Sequence, residues 1–331
     1  MTDAVWVSEA EVVACMDLQA AIDVLQAGLR SEAAGTAHNM TKTHLSWGRG
    51  STLHAIGAVD EAANVIATKT WGHTPAGATP LLVLWDAQSS ALLAIIEAFA
   101  LGQLRTGAIS GVATRTLAPV DAATMAIIGT GKQALSQVAA VGAVRDLERL
   151  FVYSPNPNSR ADFCARARAA GFAFDVVDCA TLSQATAAAA VITLVTRARE
   201  PFLVSECTPR GAHINAVGAI TPERCEFAQD LFGRADILAV DSVSAARSLS
   251  AEFRDHLGGT EEAWSRVHRL SDLVTSGWSR SKETDLTIFK AMGAGLSDLT
   301  LGVHVLQWAR KSSAGRPIPL PRRVLPQLTR R

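Results

Sequence analysis

The most constraining stretch of this chain is Ile127-Ile128-Gly129-Thr130-Gly131-Lys132-Gln133-Ala134. A G-x-G-x-x-A spacing follows an apolar strand candidate, Thr124–Ile128, and opens a helix candidate, Gln133–Val144. In this spacing Gly129 permits a tight turn, Gly131 lets the backbone approach a pyrophosphate, and Ala134 allows close helix–strand packing. Unpaired N–H groups at the helix start then face the phosphates. The strand–helix rhythm continues with Arg149–Tyr153, Ser159–Ala170, Phe174–Val177, Ala190–Val195, His213–Val217 and Ile237–Val240. Such alternation specifies an α/β fold with a doubly wound parallel sheet of the Rossmann type.

Residues before 119 follow other rules. Ser8-Glu9-Ala10-Glu11 is a capping box opening a short helix, and Asp17 caps a second helix, from Leu18 to about Ala34. Thr43–Ser46, Leu53–Val59, Val65–Thr70, Leu81–Trp85 and Leu92–Glu97 are consecutive strand candidates, which predicts a mixed or antiparallel sheet. Leu101–Leu117 is a helix ended by Pro119, and Leu299–Lys311 is a last long helix returning to the first domain. The tail, Gly315–Arg331, has four prolines, five arginines and no acid, and is expected to be extended and partly mobile.

Composition excludes several classes. Lys plus Arg and Asp plus Glu are 31 each, a zero net charge that argues against nucleic acid as the main partner. The five cysteines are scattered, with no C-x-x-C pair, which fits buried thiols in a reducing compartment. No His/Cys/Asp set has metal-ligand spacing, so no metal is expected. Met1–Trp6 lacks the pattern of a signal peptide, and no apolar run is long enough for a membrane span, so the expectation is a soluble cytoplasmic protein.

If the dinucleotide were NAD, the second parallel strand would end near an acid that holds the ribose 2′-OH. Here it runs into Ser154-Pro155-Asn156-Pro157-Asn158-Ser159-Arg160. Ser154 and Asn156 can hydrogen-bond a hydroxyl or a 2′-phosphate, and Arg160 can add charge. NADH and NADPH both stay open.

The motifs together resemble the ornithine cyclodeaminase/μ-crystallin family. They are Lys69-Thr70, Leu104-Arg105-Thr106-Gly107-Ala108, the glycine motif, His213-Ile214-Asn215-Ala216-Val217-Gly218-Ala219, Thr287-Ile288-Phe289-Lys290 and Asp298-Leu299. They keep the family's order from residue 8 to 311. The resemblance implies a discontinuous α+β substrate-binding and dimerisation domain (1–118 with 300–331) around an inserted Rossmann domain (119–299), working as a homodimer. It implies a carboxylate clasp at Lys69 and Arg105, with Lys42 at an upstream cationic position. The expected cofactor contacts are Gly129 through Ala134, Ser154, Asn156, Arg160, Thr106, Thr196, Val217, Gly218, Lys290 and Gly293.

One departure bears on the chemistry. Where the cyclodeaminases carry an aspartate after His-Ile-Asn-Ala-Val-Gly, this chain has Ile220. Isoleucine neither holds an ammonium group nor moves a proton, so the segment looks more like the ketimine-reductase branch. The expectation is an NAD(P)H-dependent imine reductase, reversible as an amino-acid dehydrogenase, acting on a small imino acid. Lys69, His54 and His73 are the candidate proton donors. Lys42, Arg49, His54, Lys69, His73 and Arg105 give the substrate domain more cationic capacity than one carboxylate needs. That suggests a dicarboxylic imine such as iminosuccinate. The alternatives are a cyclodeaminase, a non-enzymatic protein holding NADPH and a small ligand, and an imine-forming condensation enzyme.

Overall fold

Parallel pairing builds one half of the molecule and mostly antiparallel pairing the other, in a computed structural model that describes residues 4–48, 50–322 and 324–329. The parallel sheet has eight strands, in the order Asp175–Asp178, Arg149–Tyr153, Thr124–Ile128, Val191–Leu194, Ala212–Ala216, Leu286–Lys290, Ala235–Val240 and Val267–Arg269. Every neighbouring pair in it is parallel. From Thr124–Ile128 the chain winds first to Arg149–Tyr153 and Asp175–Asp178. It then crosses to Val191–Leu194 on the other side. Thr124–Ile128 is therefore the switch point, where a crevice opens outside the carboxyl ends of the strands.

The second sheet has nine strands, in the order Arg316–Ile318, Ala4–Val7, Leu92–Glu97, Leu81–Asp86, Val65–Thr74, Ser51–Asp60 and Ala37–Asn39; Thr43–Trp47 and Gly77–Ala78 attach to Ser51–Asp60 and Val65–Thr74. Ala4–Val7 and Leu92–Glu97 pair in parallel and the others antiparallel. The tail expectation needs one correction: Arg316 to Ile318 pair with Ala4 to Trp6, so the tail begins as an edge strand. Pairing with a strand more than 300 residues away orders this segment, together with the Gly315 N–H that donates to Glu11 at 2.7 Å.

The helix Phe99–Leu117 joins the two halves. It packs on Leu18–Ala33 and on Ala134–Gly142, and it is buried on all sides from Gly107 to Thr114. Both of its ends are finished by distant side chains. Ala98 cannot cap the start, so the Glu9 carboxylate accepts the N–H groups of Phe99 and Ala100 at 2.5 and 2.9 Å. At the far end Arg145 donates to the carbonyls of Thr114, Arg115 and Ala118, and Arg280 to that of Leu117. The final helix, Gly295–Ser312, crosses back to pack on strands Ser51–Asp60 and Val65–Thr74. Ala294 does not cap it; Asn39 does, accepting the N–H of Leu296 at 2.8 Å. Among the described residues no single helix is long and apolar enough to cross a membrane.

Candidate functional site

Period-2 alternation in Val65–Thr74 sends Val65, Ala67, Lys69 and Trp71 to one sheet face. Lys69 thus takes an inward position and is only 4% exposed. Its ammonium group donates to Asp298 Oδ1 at 2.5 Å. Asp298 comes from the first turn of the final helix, and Arg105 Nε lies 3.7 Å from the same oxygen. Burial, offset only in part by Asp298, brings the Lys69 pKa down from 10.5 to about 8. Asp298 Oδ2 and Arg105 Nε are buried without a hydrogen-bond partner. A buried polar atom without a partner calls for an explanation, of which a bound ligand is one.

Of this cluster Arg105 alone lines the neighbouring cleft of about 560 Å³, with Lys69 and Asp298 behind it. Arg105 and Thr106 of the connecting helix line it, as do Ile56 and Trp71 of the nine-stranded sheet and Lys42 of a loop beside it. Its other wall is the carboxyl edge of the parallel sheet: Gly129 to Gln133, Ser154, Thr196, Val217, Gly218 and Ile220. Lys42 has no carboxylate within ion-pair distance among the described residues, and burial followed by the Arg105 charge pushes its pKa down. Met292 and Gly293 close the floor below Arg105, their N–H groups each held at 2.7 Å by the buried Asp241 carboxylate. A larger cavity of about 690 Å³ lies behind the connecting helix, away from the glycine motif. There Arg145 donates to backbone carbonyls, and Arg280 to backbone carbonyls and the Thr287 hydroxyl.

The dinucleotide end fits such a ligand on its own geometry. Gly129 has φ +106, which L side chains rarely adopt, and a Cβ there would crowd the carbonyl of Val195 at 2.7 Å. A Cβ at Gly131 would meet nothing within 4 Å, so that position faces open space where a pyrophosphate can approach. Ala134 is buried at the first turn of the following helix.

Other expected contacts lie elsewhere. Lys290 does not face the cleft; it is fully buried and paired with Glu252 at 3.2 Å, because its strand is covered on both faces. Asn156 is the N-cap of the helix Pro157–Ala169, its side chain accepting the N–H of Ser159. Arg160 is engaged by Asp178 and by the carbonyl of Ser154, and neither Asn156 nor Arg160 lines the cleft. His54 shares the Lys69 face but stands behind Trp71, stacked on it with centroids 4.7 Å apart. His73 is exposed and also off the cleft. Arg49 lies outside the described residues.

The sequence did not reveal Asp298 as the partner of Lys69, nor Trp71, Ile56 and Met292 as cleft walls. The signal for Asp298 was the one charged residue among the leucines of Leu296-Ser297-Asp298-Leu299-Thr300-Leu301. For Trp71 it was period-2 spacing from Lys69.

The model of the "Ornithine cyclodeaminase/mu-crystallin family" matches residues 3–312. The chain belongs to this family. It is 32% identical over 241 residues to a Delta(1)-pyrroline-2-carboxylate reductase of Bacillus cereus, covering 72% of this chain and 73% of that one. It is 26% identical to the iminosuccinate reductase of Paracoccus denitrificans, whose crystal structure in complex with NAD+ superposes with a TM-score of 0.85 over 96% of this chain and 100% of that chain. The Thermococcus litoralis Delta(1)-pyrroline-2-carboxylate reductase, in complex with NADH and L-proline, shares the fold at a TM-score of 0.87, with 23% identity over 95% of this chain and 100% of that chain.

Proposed function

We propose that this family member is an NAD(P)H-dependent reductase of a small α-imino acid, reversible as an amino-acid dehydrogenase. The observation that carries the reading is the Lys69–Asp298–Arg105 cluster, set beside a cleft that runs to the glycine motif. A bound dinucleotide supplies or accepts the hydride. The protein's own residues do the rest. Arg105 offers a planar fork for the α-carboxylate and Lys42 a second cation. Lys69, with a pKa near 8, is poised to hold and pass on the proton that an imine nitrogen needs. Ile56, Trp71, Ile220 and Met292 keep water from the reacting carbon.

Ile220 lines the cleft and offers no carboxylate, which disfavours the cyclodeaminase route over hydride transfer to an imine. If the substrate is dicarboxylic, as with iminosuccinate, Lys42 is the group available for the second carboxylate.

The two sheets are read as two domains, residues 1–118 with 300–331 and residues 119–299, in a cytoplasmic homodimer. Leu45 and Leu53 sit opposite each other on the hairpin and are 64% and 47% exposed, an apolar strip suited to a second copy.

The test is loss of NADPH or NADH absorbance with Δ1-pyrroline-2-carboxylate, and separately with oxaloacetate plus ammonium. Turnover of either supports the reading, and the preferred one identifies the substrate class. Dinucleotide binding without oxidation by any imine would leave a binding protein instead.

A further inference from the structure

The floor of the cleft at the ends of Val191–Leu194 and Ala212–Ala216 is held from beneath by one side chain. Glu226 is fully buried. One carboxylate oxygen accepts the backbone N–H of Thr196 at 2.7 Å and its hydroxyl at 2.8 Å. The other accepts the N–H groups of Gly218 and Ala219 at 2.8 and 3.0 Å. These four donors belong to the two loops that leave neighbouring parallel strands, and Thr196 and Gly218 line the cleft. The approach is so close that a Cβ on Gly218 would overlap both the Thr196 backbone and the Glu226 carboxylate.

Glu226 is anchored in turn. Its N–H donates to Glu252 Oε1 at 3.1 Å, and Lys290 Nζ donates to the same oxygen at 3.2 Å. Ser250 Oγ donates to Glu252 Oε2 at 2.8 Å. Glu252 and Lys290 are both wholly buried. A chain of polar contacts thus runs from the sheet interior to the cleft floor and ends in four donors on one carboxylate.

We propose that Glu226 is a positioning residue for the dinucleotide, fixing Thr196 and Gly218 so that the cleft floor is formed before the cofactor arrives, with Glu252 and Lys290 behind it. This rests on the reading of the cleft as a dinucleotide site. The chemistry needs a carboxylate: both its oxygens are acceptor-only, whereas an amide presents one acceptor and an NH2 that would face other N–H groups. Glu226→Gln therefore leaves buried loop donors without partners, and the loops shift to recover them. The inference also accounts for Lys290 lying away from the cleft.

The experiment is fluorescence titration of NADH, and of NADPH, into full-length wild type, Glu226→Gln and Thr196→Val, with no imine present and with thermal melting of each unliganded protein. Glu226→Gln is expected to raise Kd about tenfold or more, and Thr196→Val, which removes one of the four contacts together with the acceptor of the Ala198 N–H, about threefold. Should Glu226→Gln fail to fold, Thr196→Val decides. A Thr196→Val protein that melts lower but binds as wild type does overturns the proposal, since Glu226 would then serve stability alone. Wild type that binds neither dinucleotide overturns the cofactor reading and the proposal with it.

Discussion

The two ends of the cleft are built on different principles. The dinucleotide end is mainly backbone: Gly129, Gly131 and the start of one helix, contiguous in sequence and shaped by the absence of side chains. The substrate end is mainly side chain: Lys42, Lys69, Arg105 and Asp298 come from a loop, a strand and two helices, with Lys69 and Asp298 229 positions apart in sequence. The first end depends on the absence of bulk in its glycine turn and on the Glu226 carboxylate that holds the neighbouring loops. The second depends on charge balance in a dry setting, where removing one partner exposes the other.

The largest expected effect tests that dependence. Lys69→Met should lower the reduction rate by about a hundredfold to ten-thousandfold, the usual range for a lost general acid. It should also destabilise the fold by about 3–5 kcal/mol, because Asp298 is left buried without its partner. Denaturant unfolding of Lys69→Met with Asp298→Asn separates the two: stability returns and activity does not. Recovery of activity would show that Lys69 is only structural.

Arg105→Lys keeps the charge but loses the fork. The KM for the imino acid should rise about tenfold to a hundredfold while dinucleotide affinity holds. Steady-state kinetics beside NADH titration checks this, and a parallel loss of NADH affinity would mean that the two ends are not separable. Gly131→Ala is the converse experiment. A Cβ there meets no protein atom, so the melting temperature should stay at the wild-type value while the dinucleotide Kd rises about tenfold. A drop in melting temperature instead would place Gly131 in the fold rather than the site.

The pH dependence should sharpen the same contrast. Lys69 carries its proton below about 8 in the folded chain, against 10.5 ordinarily. Reduction, which needs the protonated form, should fall as pH rises through about 8, and amino-acid oxidation should climb over the same range. Between about 8 and 10.5 the unfolded chain binds more protons at this site, so Lys69 makes stability rise with pH across that window. Rate profiles in both directions, with unfolding at two pH values, test this. The smallest effect is at the adenosine end. Since Asp178 and the Ser154 carbonyl hold Arg160, Arg160→Ala should change the NADPH-to-NADH preference by less than about threefold.

Much of the parallel half was legible because its signals are local. An apolar strand, a glycine turn and a helix follow one another within 20 residues, and Thr124–Ile128 and Arg149–Tyr153 have the predicted bounds. Short elements escaped: Ala4–Val7, Val267–Arg269 and Arg316–Ile318 span one strand turn or two and draw their order from neighbours. Lys290 shows the same limit within the site. The family motif made it an expected cofactor contact, but neither the strand Leu286–Lys290 nor the direction of its side chain was read from the sequence, and packing against Glu252 decided the latter.

The sequence alone determined the α/β plan, the glycine turn, and the presence of Lys69, Arg105 and Ile220 at positions that bear on the chemistry. Those features rest on steric rules and periodicities that act over a few residues. Only the tertiary structure decided that Asp298 meets Lys69, that Trp71 screens His54 from the cleft, that Asp178 engages Arg160, and that Glu226 gathers two loops. Each of these is a contact between segments that no local rule relates, formed because burying a charge or an N–H group requires a partner wherever along the chain one can be brought.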